Sequence, residues 1–550
     1  MKKIARLIAV LLCICMLFTS CTPVGQSVDS SENTVNSQKV ENLEKLCKVW
    51  GHTKYNHPAF LFGEKDWDEE LLNLIPVVSE AKSDEVNDIL HEWFVSLGEI
   101  DYGTSRPGSK PIESEAVVQA DTNWILDEAY LGEALSADMQ KMGPVPKIDR
   151  SKAPVKFSTG QSVPNFKMEN TDAGCSYQTE EERLLGLFRV WNAIEYYFPY
   201  LDIMDESWHD LLNEFIPKIL EASDVQSFEL TICEMTAHLH DVHVRFINSQ
   251  PLKAVVGEYL APVNMLRTEE GQWVVSDLRG DCPLQAGDVI LKLDGTDIKE
   301  IEENRKKYVS VPNDEKLNNP LGVYLLRSKD EEMEITVLRD GKEETYSVKG
   351  TTEYTRMARK REKSHEILDG NIGLINPDSL STGDTGTVVR QAMEDLRDTD
   401  GLIIDLRQYP SDTSMHSFLS TYLQKVGAVY NIMTVPSQSV PGTFIKQEMV
   451  SMGVIPASFY YEKPVVVLMD ESSISNTEWS IMDLRTGDNV VVLGNTSLGT
   501  DGDITELPLP NGNGLCFTSC GIYTPEMGQT QRIGLSPDIE VYPTVEGIKE

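Results

Sequence analysis

The chain has 550 residues, 40% hydrophobic and 25% charged, a balance that excludes a fully disordered, collagen-like or multi-span membrane protein. At roughly 100–200 residues per unit, it is expected to fold as three or four packed units. With 49 basic against 87 acidic residues the net charge is −38, a field that repels a phosphate backbone and argues against nucleic acid as a partner.

Lys2, Lys3 and Arg6 precede the apolar run Leu7 to Phe18, which is followed by Thr19, Ser20 and Cys21. A basic start, a short apolar run and a small residue before a cleavage point read as a secretory signal peptide over 1–20. Leu17-Phe18-Thr19-Ser20-Cys21 resembles the lipobox of bacterial lipoproteins, with Phe18 where leucine is usual. The resemblance implies lipidation of Cys21 and an extracytoplasmic chain anchored to the cell membrane. Residues 21–40 are polar and rich in Ser, Asn and Thr, as a flexible tether requires. No later stretch approaches the ~18 apolar residues of a membrane helix. Beyond Cys13, Cys15 and Cys21, six scattered cysteines form no disulfide framework, and Cys516 and Cys520 read as two partly buried thiols.

Residues 46–81 lie over residues 187–222 without a gap at an offset of 141. Trp50 matches Trp191, Tyr55 matches Tyr196, Pro58 matches Pro199 and Trp67 matches Trp208, the pattern of a duplicated unit. Each copy reads as an amphipathic helix, a proline-containing break, a second helix, and a third near 84–97 and 225–239. The first module is assigned to 41–105, a connecting segment to 106–180 and the second module to 181–250. At their ends the copies diverge: the second carries AHLHDVHVRF (237–246), the first SLGEIDYGTS (96–105) without a histidine.

His238, His240 and His243 beside Asp241 admit three readings. They are metal ligands, with His365, His416 or carboxylates completing the set; or surface and capping histidines after a helix; or one of them, His243, is a catalytic base, if a nucleophile is present. Residues 251–350 change to short β-like runs, with Asp340-Gly341 marking a hairpin turn. PLQAGDVILKLDGTDI (283–298) resembles the core of PDZ domains, which bind extended peptides by adding a strand to a sheet edge. A small β-barrel that only packs against its neighbours is the alternative.

From 351 to 550 strand and helix alternate. NIGLINP (371–377), GLIIDLR (401–407), PVVVLMD (464–470) and NVVVLGN (489–495) are continuous apolar runs, as buried parallel strands require, with helical patterns at 382–397 and 475–486 between them. The fold class is therefore multidomain, α/β and α+β: a parallel βαβ core, duplicated helical modules and a PDZ-like β-rich insert. Ser475 falls where a strand gives way to a helix, among N–H groups able to stabilise an oxyanion. The same serine with Glu478 three residues on also reads as an N-cap and capping box.

The series AHLHDVHV, the PDZ-like segment, NIGLINP, GLIIDLRQYPSD, PVVVLMDESSISNTEW, VVVLGNTSLGTDGDI and QRIGLSPDIEVYPTVEGI resembles, in that order, the tricorn and C-terminal-processing peptidase family of serine peptidases. The likeness covers roughly 180–550. It implies Ser475 as nucleophile, an oxyanion hole from the N–H of Asn476 and a main-chain N–H near Ser411, and His243 as base in the tricorn-like branch. The processing branch has a Ser–Lys dyad with its lysine in a Gly-Lys-Gly string; here Gly499-Thr500-Asp501 lacks it, which favours His243. Alignment on Gly534 and Pro537-Asp538 puts Gln531 where the tricorn branch has a glutamate supporting the base. Asp241 and Glu478 are further candidates for that support, Val242 replaces a polar residue, and Pro410-Ser411-Asp412 replaces a double glycine.

The expectation is an exported, lipid-anchored serine endopeptidase acting on polypeptides through an acyl-enzyme, with no metal or organic cofactor. Its rivals are a non-catalytic peptide- or ligand-binding lipoprotein of the same fold and a metallohydrolase using His238, His240 and His243. Substrate sequence and oligomeric state leave no mark in the sequence.

Overall fold

Leu43, Leu46, Cys47, Val49 and Trp50 recur along one helical stretch and are all buried in α1 (Ser37–Asn56). The computed structural model describes residues 37–103, 116–157, 163–248, 250–352, 363–380, 383–454 and 457–549; the signal segment and Cys21 lie outside the described residues. The expected tether ends earlier than 40, because Lys39 and Val40 are already in α1 and Lys39 pairs with Glu180 at 2.7 Å. After α1 come α2 (Trp67–Glu80) and, in the second copy, α3 (Glu180–Tyr197), α4 (Trp208–Glu221) and α5 (Val225–Ala237).

The two copies repeat their bonds as well as their residues. The Trp50 indole N–H donates to Trp67 O at 2.7 Å, and that of Trp191 to Trp208 O at 3.0 Å. Asn42 reaches Val78 O as its counterpart Arg183 reaches Ile219 O, both at 2.9 Å. Asp66 caps α2 and Ser207, its counterpart, caps α4. Equivalent positions also touch each other. Lys39 meets Glu180, the rings of Tyr55 and Tyr196 lie 5.4 Å apart, and a Cβ on Gly51 would lie 1.7 Å from Asn192 Oδ1. Residues that meet their own counterparts in one register set α1 and α3 side by side and parallel, the signature of a pseudo-two-fold relation.

The insert is a separate layer with its own core around Trp273, Val275, Ile335 and Val337. Its strands are β1 (Val263–Arg267), β2 (Trp273–Leu278), β3 (Val289–Leu293), β4 (Glu332–Arg339) and β5 (Lys342–Lys349), antiparallel in the order β5-β4-β3-β2-β1. Asp340 and Gly341, at φ +49° and +76°, make the two-residue turn that puts Arg339 opposite Lys342. Lys316 ties the insert to the core, donating to Ile533 O at 2.8 Å and to Ser497 O.

The C-terminal core is a six-stranded sheet of β6 (His365–Leu368), β7 (Ile372–Ile375), β8 (Gly401–Asp405), β9 (Val465–Met469), β10 (Val490–Gly494) and β12 (Ile539–Glu540), paired in that order. From β7 to β12 the pairings are parallel, and only the edge strand β6 is antiparallel. Crossover chain returns through α6 (Thr385–Asp395), α7 (Met415–Leu423) and α8 (Asn476–Leu484), whose apolar faces bury Val389, Leu419 and Ile481. β11 (Gly514–Thr518) stands outside this sheet and pairs antiparallel with Arg245–Phe246 of the second helical module. The segment expected only to connect the modules is built into the same half, with Ala116–Gln119 pairing against Thr443–Ile445.

Candidate active site

β9 ends at Met469 and α8 begins at Asn476, so Ser475 lies at the carboxyl side of the sheet, where ligands of open α/β folds bind. Its backbone has φ +57° and ψ −124°. An ordinary N-cap is extended, as Thr179, Ser207 and Asp66 are here; a non-glycine residue at positive φ costs on the order of 1–3 kcal/mol. Capping a helix does not require that conformation. A sharp strand-to-helix turn that exposes its hydroxyl does.

Several bonds hold the turn. Ser475 N–H donates to Thr500 O at 2.8 Å and to Glu478 Oε2 at 3.3 Å, and Ser473 Oγ donates to Leu406 O at 2.8 Å. Glu478 is buried and accepts three further bonds, from Ser497 Oγ (2.5 Å), Gly499 N (2.9 Å) and Thr500 N (3.0 Å). Its lone pairs are therefore spent on clamping 497–500 beneath the Ser475 turn, and the structure does not bring it to the imidazole as a supporting base. Burial raises its carboxyl pKa, opposed by these donors and by Lys316.

His243 stands two residues before the strand Arg245–Phe246, and the pairing of Arg245 with Cys516 and Phe246 with Leu515 carries the register on to Thr518. His243 Nδ1 lies 2.9 Å from Thr518 Oγ1 and 3.8 Å from Asp241 Oδ1, and the His243 N–H donates to Asp241 Oδ1 at 3.0 Å. Asp241 is fully buried with Oδ2 unpartnered. Burial pushes the His243 pKa below the usual imidazole value; Asp241 opposes the shift and Arg245 adds to it. The other two histidines turn elsewhere. His238 faces Glu206 at 3.3 Å, while His240 faces Val311 O at 3.0 Å and Asp205 at 3.1 Å. The three rings thus have three separate sets of partners, and among the described residues no group of three His, Cys, Asp or Glu converges as a metal would need.

Ser475, Asn476 and His243 open into one cavity of about 1050 Å³. No hydrogen bond joins Ser475 Oγ to His243 in this structure, so the rings of the site face a common space without closing on one another. The Asn476 N–H, first in α8, has no backbone acceptor among the described residues, while its side chain donates to Thr413 O at 3.2 Å. Ser411 departs from its expected role, because its N–H and Oγ both donate to Pro377 O, at 3.2 and 3.1 Å. Tyr409 and Thr413 of the same loop line the cavity instead. Gln531 also departs: its amide is buried with both atoms unpartnered, and the Nδ1 partner of His243 is Thr518.

Four further residues belong to this region: Thr518, which the sequence did not mark; Thr500 and Asp501, noted there only for standing where a lysine string is found; and His416, noted only as a possible metal ligand. Thr518 orients His243; Thr500 takes the Ser475 N–H on its carbonyl and the Val242 N–H on Oγ1 at 3.4 Å, linking the two segments. His416 lines the cavity with Nδ1 2.7 Å from the buried carboxylate Asp483. Asp501 lines it too, with a buried carboxyl. None sits in a motif, since each depends on strands or loops distant in the chain.

Residues 371–541 match peptidase family S41. The α/β core is a peptidase family S41 domain. With that S41 domain the chain is a serine-type peptidase. The structure of mature CPAF complexed with lactacystin superposes on 67% of this chain and 95% of its own, with a TM-score of 0.52 at 11% identity. A second structure of mature CPAF gives 0.52 at 10% identity over 67% of this chain and 94% of that one. The photosystem II D1 C-terminal processing protease is 20% identical over 67% of this chain and 96% of its own, with a TM-score of 0.42. At such identities the CPAF likeness is one of fold. No curated protein matches the chain.

Proposed function

We propose that the S41 domain hydrolyses internal peptide bonds of polypeptides through an acyl-enzyme on Ser475, with His243 as base. The observation that carries this is Ser475 held at positive φ on the strand-to-helix turn, opening into the cavity that also exposes His243. A proton on His243 Nδ1, given to Thr518 Oγ1, leaves Nε2 with a lone pair. Nε2 takes the Ser475 hydroxyl proton as Oγ attacks the scissile carbonyl, and the negative oxygen formed is met by the Asn476 N–H. Collapse breaks the C–N bond, and Nε2 returns the proton to the leaving amine. Water then attacks the ester with the same imidazole as base, freeing Ser475. Labelling by a fluorophosphonate, lost in Ser475→Ala, tests the assignment; a folded protein that takes no label overturns it.

Thr518 is a positioning residue in this scheme. Thr518→Val keeps the shape but removes the oxygen beside Nδ1, and is expected to slow labelling about tenfold, with Thr518→Ser restoring most of the rate. A merely structural role predicts that valine, the better strand former, leaves the rate alone.

A second reading of the base is favoured by one observation, the carboxylate partner of His416. Comparing His243→Ala with His416→Ala separates the two. The insert, with β1 at the edge of its sheet and the strand-turn-strand of 283–298, is read as PDZ-like, a dock for extended peptide. Cys21 is read as the lipid-bearing residue. Triton X-114 partition of the exported protein is expected to move from the detergent to the aqueous phase in Cys21→Ser, and unchanged partition would remove the anchor.

A further inference from the structure

Asp501 is buried to 3% exposure and lines the cavity that contains Ser475. Its Oδ1 accepts the Gly502 N–H at 2.7 Å, and its Oδ2 has no partner. No lysine or arginine pairs with it among the described residues, and the charges acting on it, Glu478 and Asp503, are both negative. Buried carboxylates are ordinarily paired or fully hydrogen-bonded, so a half-satisfied one on a cavity wall lacks a cation that the fold does not provide. The cavity does contain Arg245, Lys253 and Arg327, but these come from the second helical module and the insert.

The position of Asp501 is set by the nucleophile turn itself. Its neighbour Thr500 holds the Ser475 N–H, so the carboxyl stands one residue from the bond that fixes the serine. Trp479 lies one helical turn after Ser475, its backbone N–H on Ser475 O at 3.0 Å. The indole is half-buried, backed edge-on by Tyr430 at 5.7 Å, and lines the same cavity with Met433 and Met449. An apolar and aromatic wall ending in an unpaired carboxyl suits a side chain that is a hydrocarbon stem with a cationic head.

We propose that this part of the cavity is a subsite for a basic side chain of a polypeptide, lysine or arginine, with Asp501 as its counter-ion and the Trp479 face against its methylenes. In the empty cavity, burial and the nearby Glu478 hold the Asp501 carboxyl well above the usual carboxylate range. A cation beside it opposes that shift and favours the carboxylate. The placement beside the scissile bond rests on the serine peptidase reading above; the cation site itself does not.

Binding to the Ser475→Ala protein tests the site without hydrolysis. Two alanine-rich decapeptides, one with a single arginine and one with citrulline at the same place, differ only in charge. The arginine peptide is expected to bind about tenfold more tightly, and the difference to vanish in Ser475→Ala/Asp501→Asn. Equal affinity for the two peptides, or a preference that survives Asp501→Asn, overturns the proposal. Should the double variant fail to fold, a salt series on Ser475→Ala decides. Attraction by the overall negative charge is screened by about 0.5 M NaCl, whereas a buried pair keeps its preference, and loss of the preference in salt overturns the site. Fluorophosphonate labelling of the wild type reads the serine peptidase assignment separately, so the two fail independently.

Discussion

Ser475→Ala is expected to abolish hydrolysis of an unfolded polypeptide and labelling by a fluorophosphonate, a loss of about 10⁴-fold or more, and His243→Ala to slow both by about 10³-fold. The two losses should not add, because a base without its nucleophile has nothing to deprotonate. The acidic limb of the rate profile supplies an independent check. Burial lowers the His243 pKa, Arg245 adds to the shift, and Asp241 opposes it; Thr518, the group nearest Nδ1, carries no charge. The imidazole is therefore neutral throughout the neutral range, and the rate should hold as pH falls below about 6.5, dropping only as the lowered value is passed. Thr518→Asp would place a carboxylate beside Nδ1 and is expected to move the acidic limb to higher pH. If His243→Ala keeps the wild-type rate while His416→Ala loses it, the base is the ring paired with Asp483.

The parts of this site that were legible in the sequence are those set by local pattern. Four continuous apolar runs marked the parallel strands because a strand covered on both faces has no polar side to show. Ser475 was legible as the residue opening the helix after one of them, but its positive φ was not, since that conformation is held by Thr500 and Glu478 acting across the 497–500 loop. Glu478 keeps the capping-box bond to Ser475 that its spacing suggested, but the rest of its role was hidden for a related reason. Its spacing from Ser475 is that of a capping box, while three of its four bonds go to residues about twenty positions later. The partner of His243 lies 275 residues away and is brought in by the register of a two-residue strand against β11. Family alignment pointed to Gln531 for that task, and only packing reveals that its amide is left unpartnered. Ser411 failed as an oxyanion donor because the carbonyl of Pro377, distant in sequence, takes its N–H.

The largest stability effect is expected at a buried ion network that joins the two helical copies. Lys54 Nζ lies 2.6 Å from Glu169 Oε1, Arg189 Nε 3.3 Å from Glu169 Oε2, and Arg189 Nη2 2.8 Å from Asp68 Oδ2. Lys54, Glu169 and Arg189 side chains are fully shielded from solvent, and Asp68 nearly so. Two cations and two carboxylates balance, and further bonds support them: Trp67 Nε1 on Glu169, and Arg189 Nη1 on Asn170 O and Pro508 O. The duplication makes the origin of this network readable. The counterparts of Lys54 and Asp68 in the second copy are Glu195 and His209, which meet each other at 3.2 Å, with the carboxylate now at the position that holds lysine in the first copy. Glu169 belongs to neither copy; it comes from the segment between them and neutralises the surplus cation at their junction. Glu169→Leu leaves Lys54 buried without a carboxylate and is expected to cost about 3–5 kcal/mol, read in the first transition of denaturant unfolding. Adding Lys54→Met removes both charges of that pair and should recover most of the loss, since two apolar groups of similar volume tolerate burial better than one unpaired ion. Simple additivity of the two substitutions would mean that Lys54 is neutralised elsewhere, and would break the link drawn here between the segment after 163 and the joining of the two copies.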